Sequence, residues 1–296
     1  VKHGVTVALL VVAAMAGTMA SARAQGGRIE ERALPYTPLP ADIQALDEVI
    51  KAPLTDDFVA KSFTAPDGRI VPYRLLTPAT ATVQLAQARL PLVIVLHGSG
   101  SIGQNNVSQM TAFAKAWALP ALRQRFPAYV VAPQVDVRSA DYAPGGDGLL
   151  ASHPGASLPA ILALVDDLLG RLPVDPARVY VVGFSMGASA ALDALVAQPG
   201  RFAAAVAFSA VPPDRDRAVA VAGTPTMQVH GDQDTENPFD PDHAWAEAVA
   251  AAGGAPIFVR YQGMEHRVPP DMILAPGWRE WLFAQRLKSA APFPNP

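Results

Sequence analysis

Along the chain, short and unbroken apolar runs alternate with longer segments in which apolar residues recur every three or four positions. Such runs are Pro91–Leu96, Ala128–Ala132, Val179–Val182 and Phe202–Ser209, and Thr226–His230 and Ile257–Tyr261 are further strand candidates that carry polar residues. Runs without polar alternation predict strands buried on both faces, as in a parallel sheet. Between them, residues 157–172 place Ile161, Leu164, Val165, Leu168 and Leu169 on one helical face. Further helices are predicted over 107–124, with Trp117 and Leu122 inward, over 188–197, 241–252 and 278–287. Strand and helix alternate from Pro91 onward, so the expected architecture is α/β, a mostly parallel central sheet with helices on both faces. Ahead of it, Phe58–Thr64 and Arg69–Leu76 flank the turn tripeptide Pro66-Asp67-Gly68 and predict an antiparallel edge. Residues 79–90 read as a linker, and residues 136–156 as a long loop at a strand's C-terminal end.

The first segment has a different character. Lys2 and His3 precede an apolar run from Val5 to Ala16, and small residues follow, ending in Ala22-Arg23-Ala24. This is the pattern of a secretory signal peptide, and the run is shorter than the ~20 residues of a membrane span. The expected organisation is a signal peptide over 1–24, an extended arm with a short helix over 25–55, one α/β domain over 56–290 and a tail over 291–296. The mature chain is expected to be secreted or periplasmic, with no stable membrane insertion. Formal net charge is −3 with no basic block, so nucleic acid is not an expected partner. The chain has no cysteine, which removes disulfides, thiol catalysis and cysteine-ligated zinc.

The sharpest chemical signal is Gly183-Phe184-Ser185-Met186-Gly187, set between a predicted strand and a predicted helix. Strand, sharp turn and helix make a nucleophile elbow, in which small residues leave room for a strained serine. A serine hydroxyl needs a base, and the base needs an acid to hold its tautomer. In an open parallel sheet these groups gather at the strands' C-terminal ends. His266, past the last strand, fits the base. His97 and His230 each directly precede a glycine at a strand end and read as structural, and His153 and His243 are less well placed. The acid lies in His230-Gly231-Asp232-Gln233-Asp234. Asp234 is favoured because its extra residues complete a turn back toward the histidine, and Asp232 is the alternative. A calcium loop over these acids fails, since Asn237 stands where glycine is needed and His243 where glutamate is needed. Oxyanion donors are expected from the backbone amides of Ser99 and Met186. Gly100, Tyr142 and His153 are expected at the substrate rim. No metal or cofactor is required.

Pro91–Gly100, Val130–Gln134, Val174–Tyr180, Gly183–Gly187, His230–Asp234 and Gly263–His266 together resemble the bacterial "predicted peptidase" group of α/β-hydrolases. That group is similar to secreted polyhydroxybutyrate depolymerase-like and feruloyl-esterase-like enzymes. The resemblance spans roughly 58–288. It implies the α/β-hydrolase fold, Ser185 as nucleophile, Asp234 as acid and His266 as base. The segment Ala210–Pro225, between the strand after the elbow and the acid strand, is too short for a large lid domain. The chain departs from the group at Ala188, where many members have a second glycine, and at Ser101-Ile102-Gly103-Gln104, which replaces a charged stretch. Both departures bear on substrate preference. The expected function is an exported serine hydrolase of small or polymeric carboxylic esters. The other readings are a serine peptidase of the same fold and a non-catalytic binding protein on a hydrolase scaffold. Nothing in the pattern assigns an oligomeric state.

Overall fold

The computed structural model describes residues 27–79 and 88–288. The expected signal peptide, the C-terminal tail and most of the 79–90 linker lie outside them. In chain order the elements are β1 (Glu30–Pro35), α1 (Pro40–Lys51), β2 (Val59–Thr64), β3 (Ile70–Leu76) and β4 (Leu90–Leu96). Then come α2 (Ala112–Lys115), α3 (Pro120–Arg125), β5 (Tyr129–Pro133), β6 (Ala140–Pro144), β7 (Leu150–Pro154), α4 (Leu158–Arg171) and β8 (Val174–Phe184). The chain continues through α5 (Met186–Ala197), β9 (Ala204–Phe208), α6 (Ala218–Val221), β10 (Thr226–Gly231), α7 (Phe239–Ala251), β11 (Ile257–Gln262), α8 (Pro270–Leu274) and α9 (Gly277–Ala284).

Nine strands form one sheet in the order β1-β11-β10-β9-β8-β4-β5-β3-β2. From β1 to β5 the pairings are parallel, and β3 and β2 close that end antiparallel. Alternate residues of the unbroken apolar runs go to opposite faces, as the period of a strand demands. Leu92, Ile94 and Leu96 join the core under α4 and α5, whereas Val93 and Val95 join the core that holds Phe113, Trp117, Trp278 and Leu282.

Three segments differ from the sequence expectation. Residues 25–55 are not wholly an arm: β1 pairs in register with β11 and extends the sheet. The helix expected over 107–124 is broken into α2, a single 3₁₀ turn and α3. Pro120 is the cause, because it drives the preceding residue out of the helical region, and Leu119 sits at ψ 128°. The 136–156 loop contains the hairpin β6–β7, which lies against α5 with Ala140 and Ala151 buried.

Arg279 shows how tightly the aromatic side is packed. It is fully buried, with its guanidinium 4.7 Å from the Trp117 ring and 4.2 Å from the Trp278 ring. It donates to the carbonyls of Ala275 and Ile273, each at 2.9 Å, which fixes the end of α8. Burial lowers its pKa to about 9. Arg279→Met orphans the buried Ile273 carbonyl and the part-buried Ala275 carbonyl and removes both ring contacts, so urea unfolding is expected to show a loss of about 2 kcal/mol.

Candidate active site

The site forms where β8, β10, β11 and β4 end. At the end of β8 the chain turns through Ser185 at φ 55°, ψ −124°, a conformation that side chains rarely adopt. The turn is this tight because β8 and α5 pack against each other and against β4. A Cβ on Gly183 would run into the Gly187 carbonyl, and one on Gly187 into the Leu96 carbonyl. The Ser185 amide donates to the Phe208 carbonyl at 2.9 Å, tying the strained residue to β9.

Ser185 Oγ lies 2.9 Å from His266 Nε2, and His266 Nδ1 lies 2.7 Å from Asp234 Oδ2. With Nδ1–H donating to the carboxylate, Nε2 is the free acceptor and the serine hydroxyl donates to it. The ring is held from the other side by Phe184, with centroids 4.9 Å apart. Glu236 is largely exposed and puts a carboxylate 3.8 Å from the same Nε2. Asp234 Oδ1 accepts from the amides of Glu236 and Asn237 at 3.0 and 2.9 Å. Burial by itself would raise the Asp234 pKa. Hydrogen bonds from His230, His266 and the Asn237 amide outweigh it and hold the carboxyl well below the usual range. Asp232, the alternative acid, is engaged elsewhere: it accepts from Arg260 at 2.8 Å and from the Gly263 amide at 2.7 Å. It therefore braces the start of the loop that carries His266.

The turn after β4 abuts Ser185, since a Cβ on Gly98 would lie 3.4 Å from Ser185 Cβ. His97 orients this turn. Its Nε2 accepts from the Val135 amide at 3.2 Å, so the proton is on Nδ1, which donates to the Gly98 carbonyl at 2.8 Å. Burial lowers its pKa, against the Gly98 bond, and keeps the ring neutral. In a trans peptide the Ser99 N–H points opposite to the Gly98 carbonyl, so the His97 bond fixes the direction of that amide. Met186 occupies the first position of α5, where a helix leaves its N–H unpaired.

Of the expected rim residues, Gly100 is exposed beside this turn. Tyr142 is half-buried, with its hydroxyl 3.1 Å from Ser189 Oγ in the first turns of α5. His153 pairs with Asp141 in the hairpin, while Tyr142 pairs with Ser152. Successive strand residues face opposite sides, so His153 is directed away from the face that carries Tyr142, and it is exposed.

A group that the sequence reading assigned only a structural part stands directly behind Asp234. His230 is completely buried, with Nδ1 2.8 Å from Asp242 Oδ2 and Nε2 3.0 Å from the Asn237 carbonyl. Nε2 is also 3.4 Å from Asp234 Oδ2. Every neighbour is an acceptor, so both ring nitrogens carry protons and the ring is a buried cation between two carboxylates. Burial opposes the charge, but hydrogen bonds to Asp234 and Asp242 prevail and raise the pKa to about 9. Asp242 also accepts from Gln228 Nε2 at 2.7 Å. The signal available in the sequence was a histidine with acids four and twelve positions on, the first of them across a turn and the second at the start of a helix.

Comparison with known proteins agrees with this fold. Residues 155–275 match a family model described as phospholipase/carboxylesterase. The chain is 27% identical over 237 residues to NocK of Nocardia uniformis subsp. tsuyamanensis, a protein named for an expected esterase activity, covering 78% of this chain and 64% of NocK. Among solved structures it is similar to a thermostable esterase at 26% identity and a TM-score of 0.70, covering 79% of this chain and 64% of the esterase. A puromycin-hydrolyzing peptidase of Mycobacterium tuberculosis shares the fold at 16% identity and a TM-score of 0.57, covering 80% of this chain and 42% of the peptidase. The chain has the fold of the α/β-hydrolase superfamily, with esterase-like and peptidase-like relatives. It spans somewhat less than two thirds of the length of NocK and of the thermostable esterase.

Two measurements probe the buried charges. His230→Gln leaves Asp234 and Asp242 without a shared cation, so stability at pH 7 is expected to fall by about 3 kcal/mol, with the deficit narrowing as acid protonates the carboxylates. Asp193 lies further along α5, is buried, and has one carboxyl oxygen without a partner among the described residues. Burial raises its pKa to about 7 from 3.8. A raised folded-state pKa gives stability that is complete below the unfolded value and is lost as pH climbs through the folded value. Asp193→Asn is therefore expected to flatten the decline in unfolding free energy between pH 4 and 7 and to stabilise the protein at pH 8, read from urea titrations.

Proposed function

We propose that the chain is a serine hydrolase that cleaves carboxylic esters through an acyl-enzyme. The observation that carries this reading is the unbroken series from Ser185 Oγ through His266 to Asp234, with links of 2.9 and 2.7 Å. In the proposed reaction His266 Nε2 takes the Ser185 proton as Oγ attacks the carbonyl carbon. The resulting imidazolium is stabilised by Asp234, which stays ionised. The Ser99 and Met186 amides donate to the oxyanion. As the tetrahedral intermediate collapses, His266 gives its proton to the leaving alkoxide and the alcohol departs. Water then attacks the acyl-enzyme with His266 as base, and Ser185 recovers its proton from His266 as the acid is released. No metal or cofactor takes part.

Esters are favoured over peptides because the relatives above 25% identity carry esterase names, whereas the peptidases lie at 14–18% and share the fold alone. An alkoxide also leaves with less help from the base than an amine does. We further propose that the protein is exported, on the basic start, apolar run and Ala22-Arg23-Ala24 of its first residues.

A fluorophosphonate probe is expected to label the wild-type protein at Ser185 and to leave folded Ser185→Ala unlabelled. Ester turnover is expected to fall by about 10⁴-fold or more in Ser185→Ala, and by a similar factor in Asp234→Asn, where His266 loses its tautomer. Matched ester and anilide substrates separate the esterase from the peptidase. Folded wild-type protein that neither takes the probe nor hydrolyses any ester would be a binding protein on this scaffold.

A further inference from the structure

A cavity of about 480 Å³ opens against His266 and Gly98 at the C-terminal end of β4. Its inner wall is Met110, Phe113 and Phe184, and Val268 and Ile273 close the side next to His266. The remaining side comes from the N-terminal segment: Leu46 and Ile50 of α1 line the cavity. That volume is in the usual range for small-molecule pockets, ~300–1,000 Å³. No carboxylate lines it among the described residues. Its two cations are turned to other work. Lys115 Nζ donates to the Ile50 carbonyl at 2.9 Å, pinning the end of α1, and Arg267 donates to Glu265 at 2.6 Å. What remains is a predominantly apolar surface suited to an uncharged hydrocarbon group.

The chemistry decides which half of an ester enters. His266 must reach the leaving oxygen to protonate it, so whatever that oxygen carries lies on the side of the imidazole. The acyl substituent projects away from the base. The cavity is bounded by the imidazole and by the residues that follow it, Arg267 and Val268. Its natural occupant is therefore the alcohol moiety.

The surface continues outside the cavity. Ile43, Leu46 and Ile50 are spaced three and four apart, which puts them on one stripe of α1. Leu39, at the cap of that helix, Ile43 and Ile50 are about half exposed and are among the most exposed large apolar residues of the described chain. At 1.5 Å per residue the stripe from Ile50 to Leu39 runs about 16 Å from the cavity mouth.

We propose that α1 and the cavity beneath it form the alcohol subsite, and that the substrate is an ester of a linear aliphatic alcohol of medium to long chain. This rests on the serine hydrolase reading above. The cavity takes the carbons next to the ester oxygen, and the α1 stripe supports the rest of the chain.

The test is an alkyl acetate series, ethyl to octyl, run beside a p-nitrophenyl series from acetate to octanoate, with fluorophosphonate labelling on every sample. kcat/KM is expected to rise at least about tenfold from ethyl to octyl acetate, since each buried methylene contributes to binding. Ile50→Gln, at a half-exposed position that tolerates a polar residue, is expected to lower the octyl-to-ethyl ratio about fivefold or more. Ile43→Gln is expected to lower it only for chains longer than the cavity. A flat alkyl series with Ser185 still labelled overturns the subsite and leaves the hydrolase reading intact. Dependence on acyl length that Ile50→Gln removes overturns the assignment to the alcohol. Absence of both labelling and turnover in folded protein removes the reading on which the subsite rests.

Discussion

The site depends on the close approach of three backbones at the elbow. Gly183 admits the Gly187 carbonyl, and Gly187 admits the end of β4 at Leu96. Holding Ser185 at positive φ costs about 1–3 kcal/mol, and the cost is offset locally. The Ser185 amide is bonded to Phe208, and the Ser185 carbonyl receives the amides of Ala188 and Ser189 at 2.9 and 3.0 Å. The same contact that forces the turn brings β4 against α5. Gly98 then meets Ser185 because the strand that ends there is already packed on the elbow. Ser185 and the turn at Gly98, the proposed nucleophile and oxyanion turn, are consequences of one packing constraint rather than two separate placements.

His266 and Asp234, the proposed base and acid, are organised by charge rather than by packing. Asp234 is buried at the start of a loop with acceptor capacity to fill, and it is filled by two amides, His266 and the His230 cation. Asp242 would otherwise bring a second buried carboxylate to the same region. With His230 protonated, the pair of acids carries one unit of net negative charge instead of two, which lets Asp234 remain ionised at the moment His266 becomes a cation in the proposed reaction. His97 shows the complementary arrangement at the other end of the site. Its Nε2 accepts from the Val135 amide, so it stays neutral and acts as a directed hydrogen-bond donor. Two histidines in the same local sequence setting, each followed by glycine at a strand end, thus take opposite charge states because their neighbours differ.

That contrast marks the boundary of what the sequence discloses. The central strands were legible because burial on both faces leaves unbroken apolar runs, as in Leu92–Leu96 and Val179–Val182. That Ser185, Asp234 and His266 would meet was legible because parallel strands end on one side of a sheet. β1 was not, since Glu30, Glu31 and Arg32 give an edge strand no apolar run, and its partner β11 is near the other end of the chain. The β6–β7 hairpin was hidden for a similar reason: its buried positions are small residues, Ala140, Ala151 and Ser152, that fit against α5 without announcing a strand. The charge on His230 needed the three acceptors around it, which come together only when α7 docks beside β10. Asp232 and Asp234 were nearly equivalent in sequence, and it is Arg260 on β11 that engages the first and leaves the second beside His266.

These dependencies separate the chemistry from recognition. The proposed reacting groups stand on strand ends and turns whose geometry is fixed by the sheet, so changes there would disturb the fold and the proposed chemistry together. The cavity beside His266 is finished instead by α1, which has no place in the sheet and is held at its end by the Lys115 bond and along its length by contacts with α2 and α8. Ile43 and Ile50 are half exposed, so their identity is little constrained by stability. In the proposed reading, substrate preference can therefore change on α1 without altering the elbow or the buried charges behind Asp234.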